Sequence, residues 1–230
     1  MKNLETLIKE YRSASEDYNK NFDKAHDAVL QLIDLIKNNK KLPDSIPDEL
    51  LKPAPTNSDV FIPLMYFRRI YVNLIGFPML TSSFINNLAN YLKGKKVLEI
   101  MSGCGSLSYF LEEKGIECIT TDNNLWGDKW SIMWKEPINI DAVNAIKKYG
   151  KDVDYIIMSW SMMDNTAYKC LKTMREVNPN LKMIYIGEGK GGCTADDSFF
   201  DLVDFEYKQE YLDLGLLSYF GIYDEISVIY

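Results

Sequence analysis

The stretch VLEIMSGCGSLSYFLEEKGIECITTDNN, residues 97–124, decides how this chain is read. An apolar run closes on a loop carrying Gly103 and Gly105, a helical pattern follows, and a second apolar run ends in Asp122. Strand, tight turn, helix and strand form the unit of a parallel sheet, because a parallel pair needs a long crossover between its members. In an open sheet of this kind ligands bind beyond the carboxyl ends of the strands, where strand order reverses, and the first strand-to-helix turn lies there.

Outward from this stretch the periods keep alternating. Residues 96–101 read as a strand, 106–114 as a helix and 116–121 as a strand; a short strand near Ile138 precedes a helix over 141–149. A strand over 153–159, a helix over 167–177, a strand over 183–187 and a helical stretch over 197–202 follow. Fully apolar strands such as YIIM and MIYI predict a doubly wound sheet covered on both faces. The last two strands are expected over residues 205–212 and 219–230, antiparallel because the link between them is too short for a parallel crossover.

Ahead of the sheet, Phe61–Ile75 reads as an aromatic-rich helix broken by Gly76-Phe77-Pro78, and Thr81 or Ser82 caps a helix that runs to Leu92 and stops at Gly94. Towards the amino terminus Leu4, Leu7, Ile8, Tyr11, Tyr18, Phe22, Ala25, Val29, Leu32, Ile33 and Ile36 recur every three or four positions, as in one long amphipathic helix. Pro43, Pro47, Pro53 and Pro55 then oppose regular structure. The expected division is a helical extension and proline-rich connector over 1–60 and an α/β domain over 61–230.

A chain of 230 residues with 47% apolar residues can bury one full core. Its formal charge of −7, with no basic block, disfavours nucleic acid as a partner. Cys104, Cys118, Cys170 and Cys193 form no C-x-x-C pair and His26 is the only histidine, so no metal site is expected. The charged amino terminus has no signal-peptide core, and no run reaches the roughly 18 to 20 apolar residues of a membrane span. The expectation is a soluble, reduced, cytoplasmic protein.

The loop narrows the ligand. A dinucleotide fingerprint would place a third glycine near Ser108 and a P-loop would show Gly-Lys-Ser/Thr, so a diphosphate cradle is disfavoured. Asp122 stands where an acid can accept hydrogen bonds from both ribose hydroxyls, and Glu99 adds negative charge that repels phosphate and tolerates an ammonium or sulfonium. A phosphate-free, cationic nucleoside fits these residues.

In these residues the chain resembles the class I S-adenosylmethionine-dependent methyltransferases. Their acid-x-Gly-x-Gly-x-Gly motif stands here as Glu99-Ile100-Met101-Ser102-Gly103-Cys104-Gly105, with Met101 where the first glycine is usual. The resemblance runs from Gly76 to the end of the chain and implies a Rossmann-like seven-stranded sheet, mostly parallel with an antiparallel last strand. It implies S-adenosyl-L-methionine as cofactor, held by Glu99, Met101, Ser102, Gly103, Gly105, Asp122, Asn123, Asp141, Ala142, Ser159 and Trp160, with the Asp141-Ala142 pair at the adenine. It also implies that the tip of the fourth strand faces the methyl group. Ser159-Trp160-Ser161-Met162 stands there in place of Asn/Asp-Pro-Pro-aromatic, so methylation of an exocyclic base amine is poorly supported.

Methyl transfer requires an acceptor held in line behind the methyl carbon in a dry site, and a base only when the acceptor must lose a proton. Glu188, Trp160 and Asp164 are the candidate catalytic residues, with Tyr66 and Tyr71 as further bases. Four glycines between residues 187 and 192 make the stretch around Glu188 a loop, while Asp196 and Asp197 cap the next helix. His26 reads as a surface residue. The amino-terminal helix and the aromatic segment PLMYFRRIYVNLIGFP, residues 63–78, are expected to form a lid or substrate wall over the cofactor, with a homodimer contact as the competing role of the helix. The acceptor is a small molecule or a protein side chain; the competing functions are a catalytically silent binder of the same cofactor and an NAD-dependent oxidoreductase.

Overall fold

The computed structural model describes residues 4–16, 23–51, 61–125, 130–203, 205 and 208–230. In chain order the helices are α1 (Leu4–Glu16), α2 (Asp23–Lys37), α3 (Asp48–Leu51), α4 (Phe61–Ile75) and α5 (Ser82–Tyr91). The sheet region follows as β1 (Lys96–Ile100), α6 (Ser106–Glu112), β2 (Glu117–Asp122), β3 (Ile138–Asn139), α7 (Ala142–Tyr149), β4 (Tyr155–Ser159) and α8 (Thr166–Val177). It closes with β5 (Lys182–Glu188), α9 (Asp197–Phe200), α10 (Gln209–Leu212) and β6 (Asp224–Ile229).

The strands pair in the order β3-β2-β1-β4-β5-β6, parallel except for β6, which runs antiparallel to β5 and sets Glu188 opposite Asp224. The chain winds outward from β1 to β3, then returns to start again at β4, so strand order reverses between β1 and β4. Alternation along the strands feeds two apolar layers. Val97, Ile157, Ile184, Ile186, Ile226 and Val228 pack with residues of α4, α5 and α6, while Leu98, Ile100, Ile156, Met158 and Met183 pack with residues of α7, α8 and α9.

Two expectations are corrected here. Among the described residues the sheet has six strands, not seven, because residues 209–212 form the single turn α10. Tyr211 is buried there against Tyr91, Leu214 is buried three residues later and Leu212 is two-thirds exposed, a helical spacing and not the two-residue repeat of a strand. The closing strand also begins only at Asp224.

The amino-terminal stripe belongs to two helices and not to one; the residues that would join them, 17–22, lie outside the described residues, as do Pro53 and Pro55 of the connector. Glu5 of α1 and Lys37 of α2 form an ion pair at 3.1 Å, although a continuous helix would hold them roughly 50 Å apart. Tyr11 Oη and His26 Nδ1 lie 2.9 Å apart across the same pair, so His26 is half-buried and engaged. Leu4, Leu7, Tyr11, Val29, Leu32 and Ile36 are buried within this chain, where both helices contact α4. Among the described residues no helix is long and apolar enough to cross a membrane.

Candidate functional site

A cavity of about 770 Å³ opens at the reversal point, between the tips of β1 and β4. That volume is within the usual range for small-molecule pockets. Of the residues assigned to the cofactor, Glu99, Met101, Ser102, Gly103, Asp122, Asn123, Asp141, Ala142, Ser159 and Trp160 all line it. Gly105 does not. A Cβ there would meet the Lys135 carbonyl oxygen at 2.3 Å, so at φ 69° this glycine lets residues 130–135 cross the turn and does not bring backbone to a ligand.

The turn is organised by two carboxylates. Asp122, at the end of β2, accepts the Gly103 amide at 2.9 Å on one oxygen and the Asn124 amide at 2.7 Å on the other. A carboxylate has about four lone-pair sites, so acceptor capacity remains for two hydroxyls. Glu99 is buried on the α6 side of β1 and accepts the Ser108 amide at 3.1 Å and the Ser108 hydroxyl. Ser108, where a dinucleotide fold has its third glycine, is thus the clamp on the buried acid. Burial pushes the Glu99 carboxyl up to about 7, against the Ser108 hydrogen bonds and the Lys135 charge, which pull it down.

Backbone strain marks both strand tips. Met101, just past β1, and Trp160, just past β4, adopt φ of 55° and 52°, a left-handed conformation that costs a non-glycine residue about 1–2 kcal/mol. Met101 thereby keeps the backbone form that a glycine would adopt. Ser102, Ser159 and Ser161 line the cavity, and each has a buried hydroxyl with no hydrogen-bond partner. The aromatic wall consists of Phe77, nearly parallel to Trp160 with centroids 5.2 Å apart, and Trp130, edge-on to Phe77 at 6.2 Å.

Helix α4 is tied to this turn by its last carbonyls, which have no partner within the helix. Asn73 O accepts the Ser131 amide at 3.1 Å, Leu74 O accepts Trp134 Nε1 at 2.7 Å, and Ile75 O accepts Cys104 Sγ at 3.0 Å together with the Ser106 hydroxyl. Cys104 in the glycine loop and Ser106 at the start of α6 therefore help to cap another helix. Arg68 and Phe77, in the aromatic segment expected to form a lid or wall, line the cavity, as does Trp130, for which the sequence carries no signal.

The candidate catalytic residues are distributed differently. Trp160 is half-buried in the cavity wall. Asp164 is exposed at the mouth, where its Oδ1 accepts the Thr166 amide at 2.9 Å, and Asp141 caps α7 by accepting the Asn144 amide at 3.0 Å. Hydrogen bonds led by that amide hold Asp141 below the usual carboxylate range. Glu188 is not among the lining residues. It is buried at the end of β5, with Oε2 accepting the Cys193 amide at 2.7 Å and Oε1 the Tyr223 amide at 3.1 Å. Burial alone would raise its carboxyl, but these amides outweigh that and leave it below the ordinary value.

Tyr66 packs against Tyr11 with the rings tilted by 37° and their centroids 5.5 Å apart, and buried Tyr71 donates to Leu80 O; neither lines the cavity. Asp196 caps α9 by accepting the Phe199 amide, as expected. Among the described residues no three His, Cys, Asp or Glu side chains converge as metal ligands.

No family model matches the sequence, and no curated protein matches it. Among solved structures the chain is similar to TehB from Haemophilus influenzae, at 12% identity and a TM-score of 0.41. That match covers 70% of this chain and spans 66% of the TehB chain.

Proposed function

We propose that this chain is an S-adenosyl-L-methionine-dependent methyltransferase acting on a small molecule or a protein side chain. The observation that carries the reading is the charge of the cavity. Among the described residues Glu99, Asp122, Asp141 and Asp164 line it against Arg68 and Lys169, a balance that suits a cationic nucleoside and opposes a diphosphate.

The donor set fits that group. Asp122 retains acceptor capacity for a ribose diol, the carboxylates offer attraction to a sulfonium or ammonium, and the unpartnered hydroxyls of Ser102, Ser159 and Ser161 await polar atoms. Phe77, Trp130 and Trp160 would exclude water and form the wall against which an acceptor is oriented. When bound, the sulfonium supplies an electrophilic methyl group. Proton removal is required of the protein only for a protonated acceptor.

A second reading, a catalytically silent binder, draws on one observation: Glu188 and Tyr71 hold structural hydrogen bonds away from the cavity, and Asp164 is engaged by the Thr166 amide. Calorimetric titration with S-adenosylmethionine, S-adenosylhomocysteine and NAD tests both. Saturable binding of the adenosyl compounds without NAD binding is the expected result. NAD binding alone would end the proposal, while adenosyl binding with no methylated product from a lysate would favour the silent binder.

A further inference from the structure

Arg68, on α4, lines this cavity, and it also lines a second cavity of about 460 Å³ beside Phe67 and Tyr219. Its guanidinium lies 5.6 Å from the Trp160 ring centroid and 5.7 Å from that of Tyr219. Among the described residues it makes no ion pair, and its Nε is buried without a hydrogen-bond partner. A guanidinium carries five donors and no acceptor, so burying it without an anion is costly unless a ligand completes it.

The nearby acids do not complete it. Both Glu188 oxygens are engaged by the Cys193 and Tyr223 amides. Both Asp224 oxygens are buried with no hydrogen bond; burial and the Glu188 charge push that carboxyl up to about 7, and the Trp160 indole N–H sits near it without closing a bond. The two rings that flank Arg68 carry further buried donors without partners, Trp160 Nε1 and Tyr219 Oη, and Ser161 Oγ, next in the chain to Trp160, is another. None of these donors closes a hydrogen bond to the unpaired Asp224 oxygens, which leaves them open to an acceptor atom from a ligand.

Sheet order gives the side. Asp122 ends β2, whereas Glu188 and Asp224 belong to β5 and β6, on the other side of the β1–β4 reversal and about 14–20 Å away at ordinary strand spacing. We propose that Arg68 seats the carboxylate of the methyl acceptor, so that the substrate is a carboxylate-bearing molecule whose apolar body lies against Phe77 and Trp160. A monoanion is favoured over phosphate because four acids share the cavity. Trp160 then separates the two ligands. This rests on the proposed function, and the test separates the two.

Benzoate and its neutral analogue benzamide are titrated into the ¹⁵N-tryptophan-labelled full chain saturated with S-adenosylhomocysteine, with the Trp160 indole N–H signal as readout. Benzoate is expected to bind at least 10-fold more tightly than benzamide, with Arg68→Gln bringing the ratio to about one and Arg68→Lys retaining part of it. Equal binding of the two probes by the parent, or an undiminished ratio in Arg68→Gln, overturns the assignment.

Should Arg68→Gln fail to fold, the parent ratio and Arg68→Lys still decide. A second arm compares S-adenosylhomocysteine with 5′-methylthioadenosine, which lacks the amino-acid end. If Arg68→Gln removes only the preference between these two, Arg68 reads the cofactor and the acceptor assignment falls. Failure of the parent to bind any adenosyl compound counts against the proposed function alone, since benzoate titration of the unliganded chain still reports on Arg68.

Discussion

Glu99 and Ser108 form a closed pair beneath the turn: the Ser108 amide and hydroxyl both donate to Oε2 of a carboxylate that is almost entirely buried. Because burial raises the Glu99 carboxyl from 4.5 to about 7, the folded chain binds more protons than the unfolded chain between those values. Stability therefore falls as pH rises from about 4.5 to 7, by up to about 3 kcal/mol from this group, and stays reduced above that. Asp224, raised from 3.8 to about 7, adds a slope of the same sign. Glu99→Gln is expected to flatten the profile and to exceed the parent in stability at pH 8; urea denaturation from pH 4 to 8 reads this, and an unchanged slope would refute it.

The two glycines of the turn should fail in different ways. Gly105→Ala drives a Cβ into the Lys135 carbonyl at 2.3 Å, a backbone atom that cannot swing aside, and is expected to cost at least about 2 kcal/mol of stability. Gly103→Ala meets the Trp130 ring at 2.9 Å, which can rotate away, so stability should fall less while adenosyl binding weakens. Thermal melts paired with calorimetry distinguish them, and equal destabilisation would contradict the difference in packing.

At Met101 the usual ranking of alanine over glycine should reverse. Both substitutions lose the half-buried thioether, but only glycine relieves the left-handed backbone at φ 55°. Met101→Gly is expected to be more stable than Met101→Ala by about 1 kcal/mol in urea. Greater stability of the alanine variant would show that this backbone is unstrained.

Asp122→Ala removes the acceptor of the Gly103 and Asn124 amides. The loop should loosen and S-adenosylhomocysteine affinity should fall about 10-fold or more, in line with about 1–3 kcal/mol for buried groups left unpaired. Calorimetry measures it. Binding equal to the parent would place the ribose elsewhere.

Much of this architecture is legible in local pattern. The strands from β1 to β5 are apolar runs bounded by helical periods, and Glu99 and Asp122 stand at places where strand geometry alone directs an acid to the ligand edge. Residues 205–212 were less legible, because aromatic and charged residues in near alternation fit a strand as well as a turn, and only burial of Tyr211 against Tyr91 decides. The fold-back of α1 on α2 was equally hidden, since an apolar stripe has the same period whether the helix continues or reverses. Arg68, Phe77 and Trp130 reach the cavity through tertiary contacts of α4 and of the segment after β2, and no spacing rule links positions 68 and 160. Ser108 reads in the sequence only as a missing glycine, because its partner lies nine residues back on another element.

The caps on Asn73, Leu74 and Ile75 make α4 a lever fastened at its far end to the glycine turn after β1, with Arg68 two helical turns up the shaft. Occupancy of the turn and occupancy of the guanidinium then act on one rigid rod. Whatever factor the first ligand contributes to the grip on the second must be returned in full when the order of addition is reversed.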